Sequence, residues 1–189
     1  MGNGARDERK DEKMYAETPD RVVLLYMLSV GATFREQAMT GDAIRAYLNA
    51  LSIDRYIVTK ASAHLQLLPL LSILNKGLYG TIKGALSFQE WVDKKFNNME
   101  YRKCDITRGV YIKQCKNDDY MRIYRHSDDF RVSSFSTNAL TQEVDSMQKN
   151  IRTNGFTPES RFLGITIERL DLSTGHEDPA GQLVVITMW

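Results

Sequence analysis

Residues 121–135, MRIYRHSDDFRVSSF, alternate apolar and polar side chains on both sides of two adjacent carboxylates, Asp128 and Asp129. A period of two belongs to a strand with one buried face, so Met121 and Ile123 before the pair and Phe130 and Val132 after it predict two strands joined by a tight turn. Such a turn holds both carboxylates at the end of a sheet, where like charges repel unless a cation offsets them. Mg²⁺ or Mn²⁺, hard ions that take oxygen ligands, supply that charge. An Asp-Asp pair is weak evidence by itself. Fourteen aspartates in 189 residues give about one adjacent pair by chance, and a second pair, Asp118-Asp119, reads as part of an ordinary polar turn, KNDD. A site for two ions needs a third carboxylate from elsewhere in the chain. Asp42, where a strand pattern runs out in GDAIRAYLNA, meets that need.

The remaining pattern places these carboxylates in an α+β chain. TPDRVVLLYMLSVGA predicts a helix with Thr18 as N-cap, Pro19 at its first position, Asp20 in the first turn and Gly31 at its close. TFREQAMTGDAIRAYLNA reads as a strand, a turn and a short helix, DRYIVTKA as a strand, and GALSFQEWVDKKF as a helix from about Gly84 with Trp91 as a core anchor. In STNALTQEVDSMQKNIRTNG, Leu140, Val144, Met147 and Ile151 keep one helical face, with Ser136 or Thr137 as cap and Gly155 as stop. RFLGITIERL and GQLVVITM read as a last pair of strands. Helices interleaved with antiparallel strands predict one sheet with helices packed on one face.

Composition narrows the function classes. At 42% hydrophobic and 26% charged, the 189-residue chain suits one domain with its own core over residues 18–189, and residues 1–17 read as a flexible charged arm. A net charge of +1 gives no global basic field, so any nucleic-acid contact comes from a local patch. No apolar run reaches the roughly 18–20 residues of a membrane span. MGNGAR fails as a myristoylation signal at Arg6. Cys104 and Cys115 read as reduced thiols, which suits an intracellular protein, in a cytoplasmic particle or the nucleus. His64 and His176 show no partners and read as surface residues.

DAIRAYLNA resembles the first catalytic motif of the reverse transcriptases of copia-type retrotransposons, an Asp followed by a pattern like x-x-x-Ala-aromatic-Leu-Asn. Further blocks follow in that family's order. LLSILNKGLYGTIKGALSFQEWVDKKF is similar to its Leu-Tyr-Gly segment and following helix, and YRKCDITRGVYIK to a strand with its Asp, here Asp105. YRHSDDF stands where the family has Tyr-x-Asp-Asp, and RFLGITIER is similar to its Leu-Gly-x-x-Ile element. The resemblance spans about residues 20–188 and departs from the family at His126, Ser127 and Lys83.

The resemblance implies a polymerase palm-type antiparallel sheet, the fingers and palm portion of an RNA-directed DNA polymerase. It implies nucleotidyl transfer by two metal ions, with Asp42 and Asp128 holding both and Asp129 tuning and orienting the cluster. Tyr47 is expected beneath the sugar of the incoming deoxynucleotide. Lys83 and Lys76 are expected to face triphosphate or template, and Gly80 and Gly84 to allow close backbone approach. The implied partners are an RNA or DNA primer-template, deoxynucleotides, and thumb and ribonuclease H regions or a larger assembly. The departures and the near-neutral charge support a second expectation: a retroelement-derived remnant, weak or inactive, serving as a structural or nucleic-acid-binding subunit.

Overall fold

The structure, a computed structural model, describes residues 18–50, 57–60, 71–74, 76, 82–115, 119–171 and 182–188. The arm at 1–17, His64, Gly80, Asp118 and His176 lie outside the described residues. In chain order the elements are α1 (Arg21–Thr33), β1 (Gln37–Ala43), α2 (Ala46–Asn49), β2 (Ile57–Lys60), β3 (Leu71–Leu74), α3 (Ile82–Asn98), β4 (Arg102–Lys103), β5 (Val110–Gln114), β6 (Tyr120–His126), β7 (Asp129–Ser134), α4 (Thr137–Asn150), β8 (Thr153–Pro158), β9 (Arg161–Phe162), β10 (Ile165–Asp171) and β11 (Gln182–Met188). Six strands form one antiparallel sheet in the order β4-β5-β6-β7-β1-β8. Strands β11-β10-β9 form a second sheet, and β2 with β3 a third.

Alternation along β6 and β7 sends Met121, Ile123, Phe130 and Val132 to one face of the large sheet. There they meet Phe88, Val92 and Phe96 of α3 and Leu140, Val144 and Met147 of α4, which is the stripe the helical spacing predicts. Trp91 joins this core only in part, stacked on Phe88 with ring centroids 5.9 Å apart. The opposite face is covered as well. Tyr124 and Val110 pack there against Leu24, Met27 and Leu28 of α1 and Phe162, Ile165 and Ile167. The expectation of one sheet with all helices on one face is therefore corrected: α1 lies across the second face beside a separate small sheet.

The residues that read as the solvent side of the hairpin are largely buried. Arg131 on β7 is fully enclosed and pairs through both Nε and Nη2 with Glu159, which also meets Arg169 of β10 at 3.1 Å. Arg169 donates to the carbonyl of Glu36, and the Glu36 carboxylate pairs with Arg122 of β6. Arg125, on the apolar face, is buried too, with Nη1 donating to the Ser127 carbonyl at 3.0 Å. Buried charges persist only when paired, and these pairs join the large sheet to α1's following loop, the segment after β8, and β10.

Local expectations are corrected at several helix ends. Asp20, not Thr18, caps α1, its carboxylate accepting from the Val22 N–H at 3.0 Å, because its side chain reaches the second helical amide directly. Gly31 is buried inside α1, close to Glu36 and Arg131, and the helix runs on to Thr33. Ser136 does cap α4, accepting from the Ala139 N–H at 3.3 Å, but Ile151 ends that helix and Gly155 lies in β8. Asp119 is no ordinary turn residue. It is buried and accepts from Ser134 Oγ at 2.7 Å and the Ser136 N–H at 3.2 Å, tying the start of β6 to the cap of α4. Among the described residues no helix is long and apolar enough to cross a membrane.

Replacing Glu159 by Gln leaves the enclosed Arg131 guanidinium without a counter-charge. Urea unfolding at neutral pH is expected to show a loss of about 3–5 kcal/mol relative to the parent chain. A loss below about 1 kcal/mol, the range of an exposed pair, contradicts the buried network.

Candidate functional site

Two pairings build the site. β1 lies antiparallel to β7 with Thr40 opposite Arg131, Gly41 opposite Phe130 and Asp42 opposite Asp129. Directly opposed residues share a face, so Asp42 and Asp129 stand side by side, one strand spacing apart. On its other side Asp129 faces His126 of β6. Ser127 and Asp128 make the two-residue turn between those strands, with Ser127 in the left-handed region at φ 58°. The Ala43 N–H donates to the Asp128 carbonyl at 2.9 Å and fastens this turn to the end of β1.

Asp42 and Asp129 both feel the crowding at this sheet end. Burial first, and the Asp128 carboxylate second, raise Asp42 above the ordinary value of 3.8, while the Ala43 N–H and the Asn154 amide act in the opposite direction. Burial, then Asp128, then Asp42 raise Asp129, and His126 opposes the rise. The resemblance gives the leading roles to Asp42 and Asp128. The geometry sets Asp129 directly across from Asp42, and these two line one cleft. Among the described residues no three His, Cys, Asp or Glu side chains are gathered as a metal-holding group. By chemistry the donor set fits a hard divalent ion: carboxylate oxygens, partly buried, whose mutual repulsion a cation relieves.

The cleft has a volume of about 530 Å³ and is open to solvent. Asp42 and Asp129 line it together with Asn154, Arg161, Leu163 and Gly164. Two of these were invisible to sequence reasoning as site residues. Asn154 donates to Asp42 Oδ2 at 3.1 Å, and the exposed Arg161 brings a cation to an acidic cleft. The one available signal was the Asn-Gly dipeptide at 154–155, which marks a turn or bulge.

Tyr47 sits in α2, a single turn that follows Arg45 in the left-handed region at φ 51°. Its hydroxyl lies 3.2 Å from Ser127 Oγ, and its ring meets Phe88 of α3 edge-on at 5.8 Å. The sequence-predicted aromatic is thus joined to the carboxylate-bearing turn. Gly84 is buried in α3. Lys83 falls in the first turn of α3 with its side chain outside the described part, and Lys76 is exposed. Asp105 is exposed in the bend between β4 and β5.

Compared with family models, curated proteins and solved structures, the chain matches none.

The raised carboxyls fix the sign of a pH effect. Both Asp42 and Asp129 hold protons more tightly folded than at the ordinary value of 3.8, so their burial first, and the repulsion among the acidic groups second, costs stability as pH rises above 3.8. With a chelator present, Asp129→Asn is expected to unfold at higher urea than the parent at pH 7. The gap should close as pH falls toward 3.8. A variant less stable than the parent at pH 7 reverses the sign and refutes the combined cost of burial and repulsion at Asp129.

Proposed function

We propose that this chain is the fingers and palm portion of an RNA-directed DNA polymerase, extending a primer with deoxynucleotides on a nucleic-acid template. The observation that carries this reading is the pairing of Asp42 with Asp129, beside the turn that bears Asp128. Carboxylates from segments far apart in sequence meet at one sheet end, in the order of the motifs that resemble those of copia-type reverse transcriptases. On this reading the six-stranded antiparallel sheet is a palm.

When bound, a pair of Mg²⁺ or Mn²⁺ ions stabilises the attacking and leaving oxygens of an in-line displacement at phosphorus. Asp42, Asp128 and Asp129 hold the charge that retains those ions. The primer 3′-oxygen forms the new bond to the α-phosphorus, the bond to pyrophosphate breaks, and the hydroxyl proton passes to solvent. Tyr47, fixed between Ser127 and Phe88, is the ring this reading sets beneath the sugar, where it would exclude a 2′-hydroxyl. Lys83 lends local positive charge to the triphosphate.

Primer extension on an RNA template with Mg²⁺ or Mn²⁺ tests the reading. Template-dependent incorporation is expected, with Asp128→Asn and Asp42→Asn each lowering it at least about a hundredfold, equivalent to about 2.7 kcal/mol of transition-state stabilisation. No incorporation by the parent chain, together with retained binding of a primer-template duplex, favours the binding-subunit alternative instead.

Tyr47→Ala opens the space under the sugar. Preference for deoxynucleotides over ribonucleotides is expected to fall about tenfold or more in single-nucleotide incorporation, the scale of a steric pocket contact. Unchanged sugar preference removes Tyr47 from the gate.

A further inference from the structure

We infer that Asn154, mounted with Gly155 on a β-bulge of β8, is a positioning residue that holds the Asp42 carboxylate against the cleft in the geometry needed to take a divalent ion. This inference rests on the reading of Asp42 as an ion-holding residue.

The bulge is written in the strand register. β8 pairs with β1 as Gly41 with Phe156 and Ala43 with Thr153. Between those pairs, the single residue Asp42 faces two, Asn154 and Gly155. One residue against two is the definition of a bulge, a device that bends a strand and re-aims a side chain. Gly155 adopts φ +101°, and an added Cβ there would find nothing nearer than Gln148 Nε2 at 3.8 Å. Its glycine therefore answers to backbone sign and not to space.

Gly41 answers to space. An added Cβ at Gly41 would come within 2.9 Å of the Gly155 carbonyl and of the Phe156 ring, so only a glycine lets the bulge lie this close to β1. Beyond the bulge the Ile44 N–H donates to the Arg152 carbonyl at 2.9 Å and closes the ladder. Two glycines on two strands thus combine to place one amide against one carboxylate.

The chemistry of the amide suits that task. Asn154 Nδ2 donates to Asp42 Oδ2 at 3.1 Å, which fixes the carboxylate plane and leaves Oδ1 without a claim from Asn154. A lysine here would neutralise Asp42 and compete with a metal ion, whereas a neutral donor orients the carboxylate and keeps its charge. Partners of this kind around ligating groups set ligand orientation and tune affinity for the ion. Asn154 and Asp42 line the same cleft, so the oriented carboxylate stands where a ligand has access.

The test is Mn²⁺ binding to the full chain, followed by electron paramagnetic resonance of the free ion, with thermal unfolding as control. Asn154→Ala and Asn154→Leu, the second close in shape to Asn, are expected to weaken Mn²⁺ binding about tenfold with little change in unfolding midpoint. Asn154→Gln, which keeps the donor on a longer arm, should recover part of the affinity. Parent-like affinity in both the Ala and Leu variants, where Asp42→Asn abolishes binding, overturns the inference and leaves the ion site standing. Absence of Mn²⁺ binding to the parent chain overturns both together.

Discussion

The antiparallel register of β1 on β7, running from Gln37 opposite Ser134 to Asp42 opposite Asp129, is the constraint on which the rest of the molecule depends. A slip of one residue would turn every side chain of β1 to the other face, taking Asp42 into the apolar layer with Phe130 and Val132. Burial on both faces guards against that slip. Met39 packs toward the helices on one side, while Ala38, opposite the buried Ser133, lies on the other. A slipped register would expose Met39 and carry Asp42 into the apolar layer, so the acidic pair inherits its placement from packing some distance away.

The ionic network links that sheet to the cleft. Glu159 lies between β8 and β9 and is gripped by Arg131 of the large sheet and Arg169 of the small one. Its backbone also ties back, with the Glu159 N–H donating to the Ala38 carbonyl at 3.0 Å. These bonds hold the start of β9 beside β1, and Arg161, Leu163 and Gly164 then border the cleft that Asp42 and Asp129 line. A wholly apolar second face could fill the same volume. Charged pairs add directional demands that apolar packing lacks, since Nε and Nη2 of Arg131 and Nη2 of Arg169 all converge on the one Glu159 carboxylate.

What could be read from the chain alone follows from how local each signal is. The β6–β7 hairpin and the α4 stripe were legible because period-two and helical patterns are properties of short windows. Asp42 was legible through the residues around it, as its strand carries little alternation. The second buried face was not legible: Arg122, Arg131 and Glu36 look like solvent-facing polar residues until partners from other segments enclose them. Asp119 is hidden in the sequence for the same reason, as its partners Ser134 and Ser136 are separated from it by the whole hairpin. Gly155 read as a helix stop because glycine marks both helix ends and bulges, and only the register with Gly41 and Ala43 decides between them. Asn154 had no signal beyond that dipeptide.

The electrostatics of the acidic corner run against the stability of the fold that carries it. Nothing in the packing obliges three carboxylates to crowd one sheet end, where burial and mutual repulsion both raise Asp42 and Asp129. Uncharged polar side chains of the same size would serve the β1–β7 pairing and the turn equally well. Local disfavour of this kind, caused first by burial and then by neighbouring charges, is what the proposed role of the cleft asks of these residues. It also sets a direction of coupling. A ligand that binds the folded corner and cancels its charge stabilises the whole domain through mass action, so occupancy of the cleft and integrity of the sheet become one equilibrium. Asn154 and the Ala43 N–H hold the Asp42 carboxylate in place without cancelling its charge.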